Sequence, residues 1–343
     1  MEIAHSEEPQ AVQYCFPSSN ASCLKEMRSK AAYAALYTVL VIMVTLTVCG
    51  NLVVIISVSH FKQLHTPTNL ILLSLAVADF LVGLIVLPLS MTALIETCWY
   101  FGDMLCSVYK FFDSVLISVS LSNLVLIAID RYFAVCDPLL YSTKITVNVM
   151  HLLILFSWLL SPSYMLAFLY LNGNFDGADK LNSCLGECLF LVNEIWGIIN
   201  LIITFILPCF TMIALYVKIF LVAKRHAKVI SSSAERKHVR ENTGKISKIS
   251  ERKAAKRLGI VVLAFLLCWI PFYIWTLIEG NLNVSMTAAL FTPTVIVYLN
   301  SCVNPILYAL LYPWFQKSLK LIFTFKICCT ASSFINLFQD THE

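Results

Sequence analysis

Seven stretches of this chain, 33–58, 67–92, 105–129, 149–171, 195–223, 258–279 and 288–311, stay apolar for long enough to cross about 30 Å of hydrocarbon as helices. That property decides the fold class. Inside a bilayer every peptide group must find its partner within the protein, which leaves helices or closed barrels. Barrel strands alternate at every second residue over about ten positions. Here Ile71-Leu72-Leu73-Ser74-Leu75-Ala76-Val77-Ala78 is apolar on both parities. Charged residues make up 13% of the chain, against roughly 25% in soluble domains. An all-α membrane protein with a seven-helix bundle is therefore expected. Polar interruptions in the third and fifth stretches and prolines in the seventh leave six or eight spans open on hydropathy alone. Pro88, Pro162, Pro208, Pro271 and Pro305 fall within the stretches. Each removes a backbone donor, so kinks are expected there.

Orientation follows from charge. The segment Lys224 to Arg257 holds about half of the 24 Lys and Arg residues, which assigns it to the cytoplasm. An odd number of spans then puts the N-terminus outside. Met1–Gln10 is acidic and polar, without the apolar core of a signal peptide. The first span is expected to act as the insertion signal. Two glycosylation acceptors, Asn20-Ala21-Ser22 and Asn283-Val284-Ser285, fall on the same outer side. So do Cys15, Cys23, Cys98, Cys106, Cys184 and Cys188, an even number in an oxidising compartment. Six cysteines allow fifteen pairings. Cys136, Cys328 and Cys329 lie on the reducing side, and the last two suit palmitoylation or remain free thiols.

The organisation expected is an outer segment at 1–32, the bundle at 33–311 with a basic loop at about 224–257, and an amphipathic helix with a tail at 312–343. Residues 226–252 read as a loop whose ends continue the flanking spans. After Pro313, Trp314, Phe315, Leu319, Ile322 and Phe323 share one side of a short eighth helix suited to the membrane interface. The net charge of +4 comes from the basic loop and implies no nucleic acid; membrane lipids are the surroundings.

Chemistry resides in acids at membrane depth. Such groups cost several kcal/mol to bury and mark functional sites by default. Asp79 lies in the second span and Asp113 in the third, with Asp130-Arg131-Tyr132 about five turns beyond Asp113. A carboxylate in a cleft of low dielectric makes a strong charge-assisted bond to an ammonium. A competing role for Asp113 is an acid satisfied by hydroxyls or by Tyr298. Trp269, Phe272 and Tyr273 on the sixth span and Tyr298 on the seventh supply rings for cation–π contact, or else pack helices. Asp79, Ser120, Asn300 and Asn304, with Asn51 nearby, offer oxygen ligands suited to a hard cation such as Na⁺, or to water.

The motifs occur in order, one set per span: Gly50-Asn51, Leu75-Ala76-Val77-Ala78-Asp79, Asp130-Arg131-Tyr132, Trp158, Pro208, Cys268-Trp269-Ile270-Pro271 and Asn304-Pro305-Ile306-Leu307-Tyr308. From about Ala32 to Phe325 the chain resembles a rhodopsin-like (class A) G-protein-coupled receptor. The run Asn300 to Phe315, His60 to Asn69, and Cys98-Trp99-Tyr100-Phe101-Gly102 are most similar to trace amine-associated receptors, olfactory and neural sensors of volatile amines. Serotonin and adrenergic receptors share the outline less closely.

The resemblance implies a plasma-membrane receptor for small protonated amines, coupled to a stimulatory (Gs or Golf type) heterotrimeric G protein and cAMP. It makes Asp113, seven residues after Cys106, the amine anchor. Ser114, Ile117, Asn200, Thr204, Trp269, Phe272, Tyr273 and Tyr298 complete the ligand site. Asn200 stands where some relatives carry a second acid for diamines, which favours a monoamine; Glu96, Glu194 and Glu279 near the outer rim either attract a second ammonium or are plain exposed charges. The resemblance also implies the Na⁺ role for Asp79, Ser120, Asn300 and Asn304, with no other cofactor. It pairs Cys106 with Cys188 and Cys23 with Cys184, and leaves Cys15 and Cys98 unassigned. The switch it implies joins Arg131 to Asp130 and Glu251 at rest and turns it toward Tyr216 and Tyr308 on opening; Glu251 is otherwise a solvated charge within the basic run Arg252 to Arg257. Tyr132, Leu121, Pro208, Phe265, Trp269 and Pro305 relay the change.

Other classes fit less well. The lysine that an opsin needs on span seven is replaced by Tyr298. No metal cluster, nucleophile–base spacing or phosphate loop suggests an enzyme. An amine transporter would use the same acids but also alternating access, and no internal repeat is visible. A peptide or lipid receptor of the same fold is the closest competitor, and Asp113 with Tyr298 discriminates against it.

Overall fold

The computed structural model describes residues 13–172, 184–188, 192–233, 242–279, 286–328 and 332–337. Among these, seven helices are long and apolar enough to span a membrane: Lys30–His60, Pro67–Glu96, Gly102–Cys136, Val147–Leu171, Glu194–Arg225, Lys253–Trp275 and Thr292–Leu311. They are spans one to seven below. Several begin on residues that satisfy free backbone donors. The Ser29, Thr66 and Thr146 hydroxyls accept from the N–H groups of Ala32, Asn69 and Val149, and Pro67 opens span two.

Span three is central, packing against spans two, four, five and six, while span one lies against two and seven. The core is aliphatic where these meet: Val54, Ile71, Leu75, Leu124, Ile127 and Val261 are closed off from the surroundings. The outer faces are apolar too. Leu152, Leu155, Phe156, Leu159 and Leu160 on span four and Phe210, Ile213, Phe220 and Leu221 on span five are exposed. A helix apolar all round, with its outward face bare, is suited to lipid rather than water. Two close approaches depend on glycine. A Cβ on Gly50 would lie 2.9 Å from Pro305 Cβ, and one on Gly83 would lie 2.7 Å from Thr47 Cγ2.

Two of the expected kinks have a definite form. Spans two and five widen into a single π-type turn at Val82–Val86 and Ile202–Ile206, two residues ahead of Pro88 and Pro208. A proline leaves the carbonyl four residues back without its donor, and a widened turn absorbs the mismatch.

The ends of the basic segment are helical, and its middle, 234–241, lies outside the described residues. The helix of span five continues to Ser233, and the helix of span six begins at Asn242, so much of 226–252 is helical. Lys, Glu, Arg and Ala in the run from Glu251 to Lys256 are good helix formers, which outweighs their polarity. The eighth helix, Pro313–Phe323, packs on spans one and seven. Trp314 and Phe315 are buried beneath it while Phe323 points outward, 72% exposed. The tail then folds back: Ser332 Oγ lies 2.9 Å from His60 Nε2, and Lys62 Nζ sits 4.3 Å from the Phe334 ring centroid.

Candidate ligand cavity and switch

A cavity of about 730 Å³ opens between the spans at the end that carries the N-terminal segment. All nine residues expected at the ligand site line it: Asp113, Ser114, Ile117, Asn200, Thr204, Trp269, Phe272, Tyr273 and Tyr298. Span three supplies the acid. Tyr298 donates to Asp113 Oδ1 at 3.3 Å, and among the described residues this is the one hydrogen bond that the Asp113 carboxylate accepts. A carboxylate has about four acceptor positions, so most of its capacity faces the cavity.

Rings close the floor. Trp269 and Tyr273 stack at 5.9 Å, Phe272 meets both edge-on, and Phe265 lies 5.8 Å below Trp269. Phe205 lies 3.9 Å from Tyr273 and joins this wall; sequence reasoning missed it. Its signal was weak, because it follows Thr204 directly and a regular helix would turn the pair about 100° apart. Both fall within the widened turn, and both line the cavity. On span five, Asn200 Oδ1 accepts from the Tyr164 hydroxyl at 3.1 Å and Thr204 donates to the Asn200 carbonyl at 2.7 Å.

The rim is stitched by disulfides. Cys106 joins Cys188, Cys23 joins Cys184, and the unassigned pair, Cys15 and Cys98, join each other. The strands Gln13–Tyr14 and Leu24–Lys25 pair as a small hairpin, and Ser22 bridges to Leu185. Lys25 donates to Glu96 at 2.8 Å, and Glu96 also accepts from Tyr37 at 2.7 Å. The Glu96 carboxylate holds the Lys25 ammonium above the ordinary lysine range. Glu96 is thus an anchor for the N-terminal segment rather than a free rim charge. Glu194 is exposed at the start of span five. Asn20 is exposed on the cap; Asn283 and the side chain of Glu279 lie outside the described residues.

Below the cavity, Asp79 is fully buried. Asn304 Nδ2 donates to Oδ2 and Ser301 Oγ to Oδ1, each at 2.8 Å. Ser301 was not anticipated. Asn51 uses its amide on the carbonyls of Thr47 and Ser301 instead of on Asp79. The buried Ser120 hydroxyl has no described partner and lines a cavity of about 20 Å³ with Asn300 and Ser301. That volume admits one water-sized occupant. Its wall is largely apolar, but the orphaned Ser120 hydroxyl, Asn300 and Ser301, the last bonded to Asp79, are oxygen donors of the kind that suits a hard cation as well as water.

At the opposite end Arg131 is committed. Its guanidinium donates to Asp130 Oδ2 at 2.6 Å through one nitrogen and at 2.9 Å through another, and to Thr68 Oγ1 at 2.6 Å. Thr68 and Tyr141 in turn donate to Asp130 at 2.8 Å and 3.1 Å. Burial, with the Asp130 charge second, raises the Tyr141 phenol above its ordinary range and keeps it a donor. Neither partner was read from the sequence, since a threonine at the start of span two and a tyrosine in the segment between spans three and four carry no signal. The side chain of Glu251 lies outside the described residues. Tyr216 and Tyr308 have buried hydroxyls without described partners, and neither bonds to Arg131. Tyr132 and Tyr216 pack instead around Val135, Ile219 and Ala255, which close spans three, five and six together. Leu121, Phe265 and Trp269 belong to one buried cluster beneath the cavity, Pro208 follows the widened turn of span five, and Pro305 lies against Gly50.

Comparison with known proteins agrees with this architecture. Residues 50–308 match the family described as the 7 transmembrane receptor (rhodopsin family). The chain is 44% identical to trace amine-associated receptor 13c of Danio rerio, over 97% of this chain and 98% of that protein. It is 43% identical to trace amine-associated receptor 8a of Rattus norvegicus, over 96% and 97%. Against trace amine-associated receptor 4 of Mus musculus it is 38% identical over 94% of each. With the bundle, the ordered motifs and these full-length likenesses together, the chain belongs to the rhodopsin-like G-protein-coupled receptors and, within them, to the trace amine-associated receptors.

Proposed function

We propose that this receptor resides in the plasma membrane with its N-terminus outside, binds a small protonated amine above Trp269, and raises cAMP through a stimulatory G protein. The observation that carries the reading is Asp113, a carboxylate with acceptor capacity to spare in a cavity whose floor is aromatic. An ammonium there gains a charge-assisted bond and ring contacts from Trp269, Phe272 and Tyr273, together worth more than either alone. The N-terminal cap, with two disulfides and an exposed glycosylation acceptor at Asn20, and a third disulfide at the same end, support the outward placement. The names of the related receptors support the amine class.

The test is a cAMP-reporter screen of volatile primary, secondary and tertiary amines against wild type and Asp113→Ala. Loss of one partner of a buried charge pair costs about 2–5 kcal/mol, so potency should fall by roughly 30-fold or more. A full response from a surface-expressed Asp113→Ala receptor removes the amine anchor. A calcium response without cAMP removes the stimulatory coupling alone.

The pocket around Asp79, Ser120, Asn300, Ser301 and Asn304 is proposed to hold Na⁺ in the resting state. Sodium then weakens agonist binding in wild type, and Ser120→Ala reduces that dependence. Agonist affinity independent of sodium in wild type would leave water as the occupant.

A further inference from the structure

The ligand cavity carries a third charge that the amine reading does not use. Lys110 lies three residues before Asp113 on span three, about 4.5 Å along the helix axis. Both side chains line the same cavity. Lys110 is half-buried, and its ammonium lies 5.2 Å from the ring centroid of Tyr109, itself buried and stacked on Trp99 at 5.4 Å. Among the described residues it forms no ion pair or hydrogen bond, and it is the only cation lining the cavity. The other acid on the wall among the described residues, Glu187, is exposed and belongs to the disulfide-tied rim.

The cavity is also far larger than a volatile monoamine needs; about 300–1,000 Å³ is the range that holds drug-sized ligands. An occupant anchored at Asp113 therefore has room to extend toward the rim, and Lys110 is the first charge it meets. A second ammonium placed there is repelled. A carboxylate, or a neutral acceptor such as an ester or amide oxygen, is attracted.

We infer that Lys110 makes this cavity selective for amines whose far end bears an anionic or hydrogen-bond-accepting group, and that it selects against diamines. The inference rests on Asp113 anchoring the ammonium, and it names the ligand class that reading leaves open. It also supplies a reason for the neutral Asn200 on span five: neither wall of the upper cavity is built for a second cation. Selectivity here is achieved as much by repulsion of the wrong partner as by attraction of the right one.

The test uses three probes with one carbon skeleton: 1-aminopentane, 1,5-diaminopentane and 5-aminopentanoate. Each is titrated on the full-length receptor in cells, and on purified receptor by thermal stabilisation, so that binding is read even without signalling. Wild type should favour 5-aminopentanoate over 1,5-diaminopentane. Lys110→Gln should reduce that ratio by about tenfold or more, since one partner of a partly buried charge contact is removed. Lys110→Arg should keep it. Lys110→Glu should invert it, a gain for the diamine that misfolding cannot produce.

Asp113→Asn should weaken all three probes. If it does and the Lys110 variants leave the ratio unchanged, the Lys110 inference fails while the amine anchor stands. If Asp113→Asn leaves 1-aminopentane untouched, the anchor itself is wrong. A wild-type receptor that prefers the diamine and loses that preference with Glu187→Gln overturns the inference in favour of a dicationic ligand spanning Asp113 and Glu187. Indifference of the wild type to 5-aminopentanoate at millimolar concentration overturns it as well.

Discussion

A charge inside an apolar stretch is costly, and Asp113, Asp79 and Arg131 each carry that cost into the bundle. Their surroundings are made of ordinary residues. Ser301 on Asp79, Thr68 and Tyr141 on Arg131, and Phe205 in the cavity wall are residue types that occur everywhere in such a chain. Only the crossing of helices selects them. Gly50 illustrates the difference. As part of Gly50-Asn51 it is a pattern; in the structure it is the point where span one reaches Pro305 of span seven, with no room for a Cβ. Overpacking a fitted contact costs about 1–3 kcal/mol. Gly50→Ala should lower the melting temperature of the purified receptor accordingly, and Gly197→Ala, whose Cβ would meet only Val192 at 3.6 Å, should not. Equal effects of the two would mean that the contact between spans one and seven is slack.

Elements divide along similar lines. The seven spans and the eighth helix could be read from run length and amphipathicity, because the bilayer sets both. The extent of the helices around the basic segment could not, since propensity and solvation pull in opposite directions there. Nor could the pairing of Cys15 with Cys98, since six cysteines permit fifteen arrangements and only the folded cap decides among them. This third bridge ties the hairpin Gln13–Tyr14 and Leu24–Lys25 to the end of span two, where Lys25 and Arg28 also attach. Replacing both cysteines, Cys15→Ser with Cys98→Ser, removes a long closed loop and should destabilise the purified receptor by about 2–4 kcal/mol. Because Cys98, Trp99 and Leu24 line the cavity mouth, a bound amine should also dissociate faster. An unchanged dissociation rate alongside a lowered melting temperature would make the bridge a fastener of the cap alone, with no hold on the ligand.

For the molecule as a whole, the cavity and the Arg131 cluster are two ends of one packed path. Trp269 forms the cavity floor, Phe265 and Leu121 lie beneath it, and Ala255 closes span six against Val135 and Ile219. Arg131 is held by Asp130 and Thr68, and a ligand shifts such an arrangement only by its difference in affinity for two states. Coupling between sites is reciprocal, so weakening the inner cluster must tighten the outer site. Thr68→Val keeps the side chain's shape and removes the hydroxyl that bonds both Arg131 and Asp130. A bias of one or two kcal/mol toward the open state corresponds to a factor of about 5–30. Basal cAMP should rise, and agonist affinity, measured on the receptor without G protein, should rise in the same direction by up to that factor. Raised basal activity at constant agonist affinity would break the linkage: it would show that Thr68 acts on the G-protein surface directly, and that the Phe265–Leu121 layer does not carry the change between the two ends.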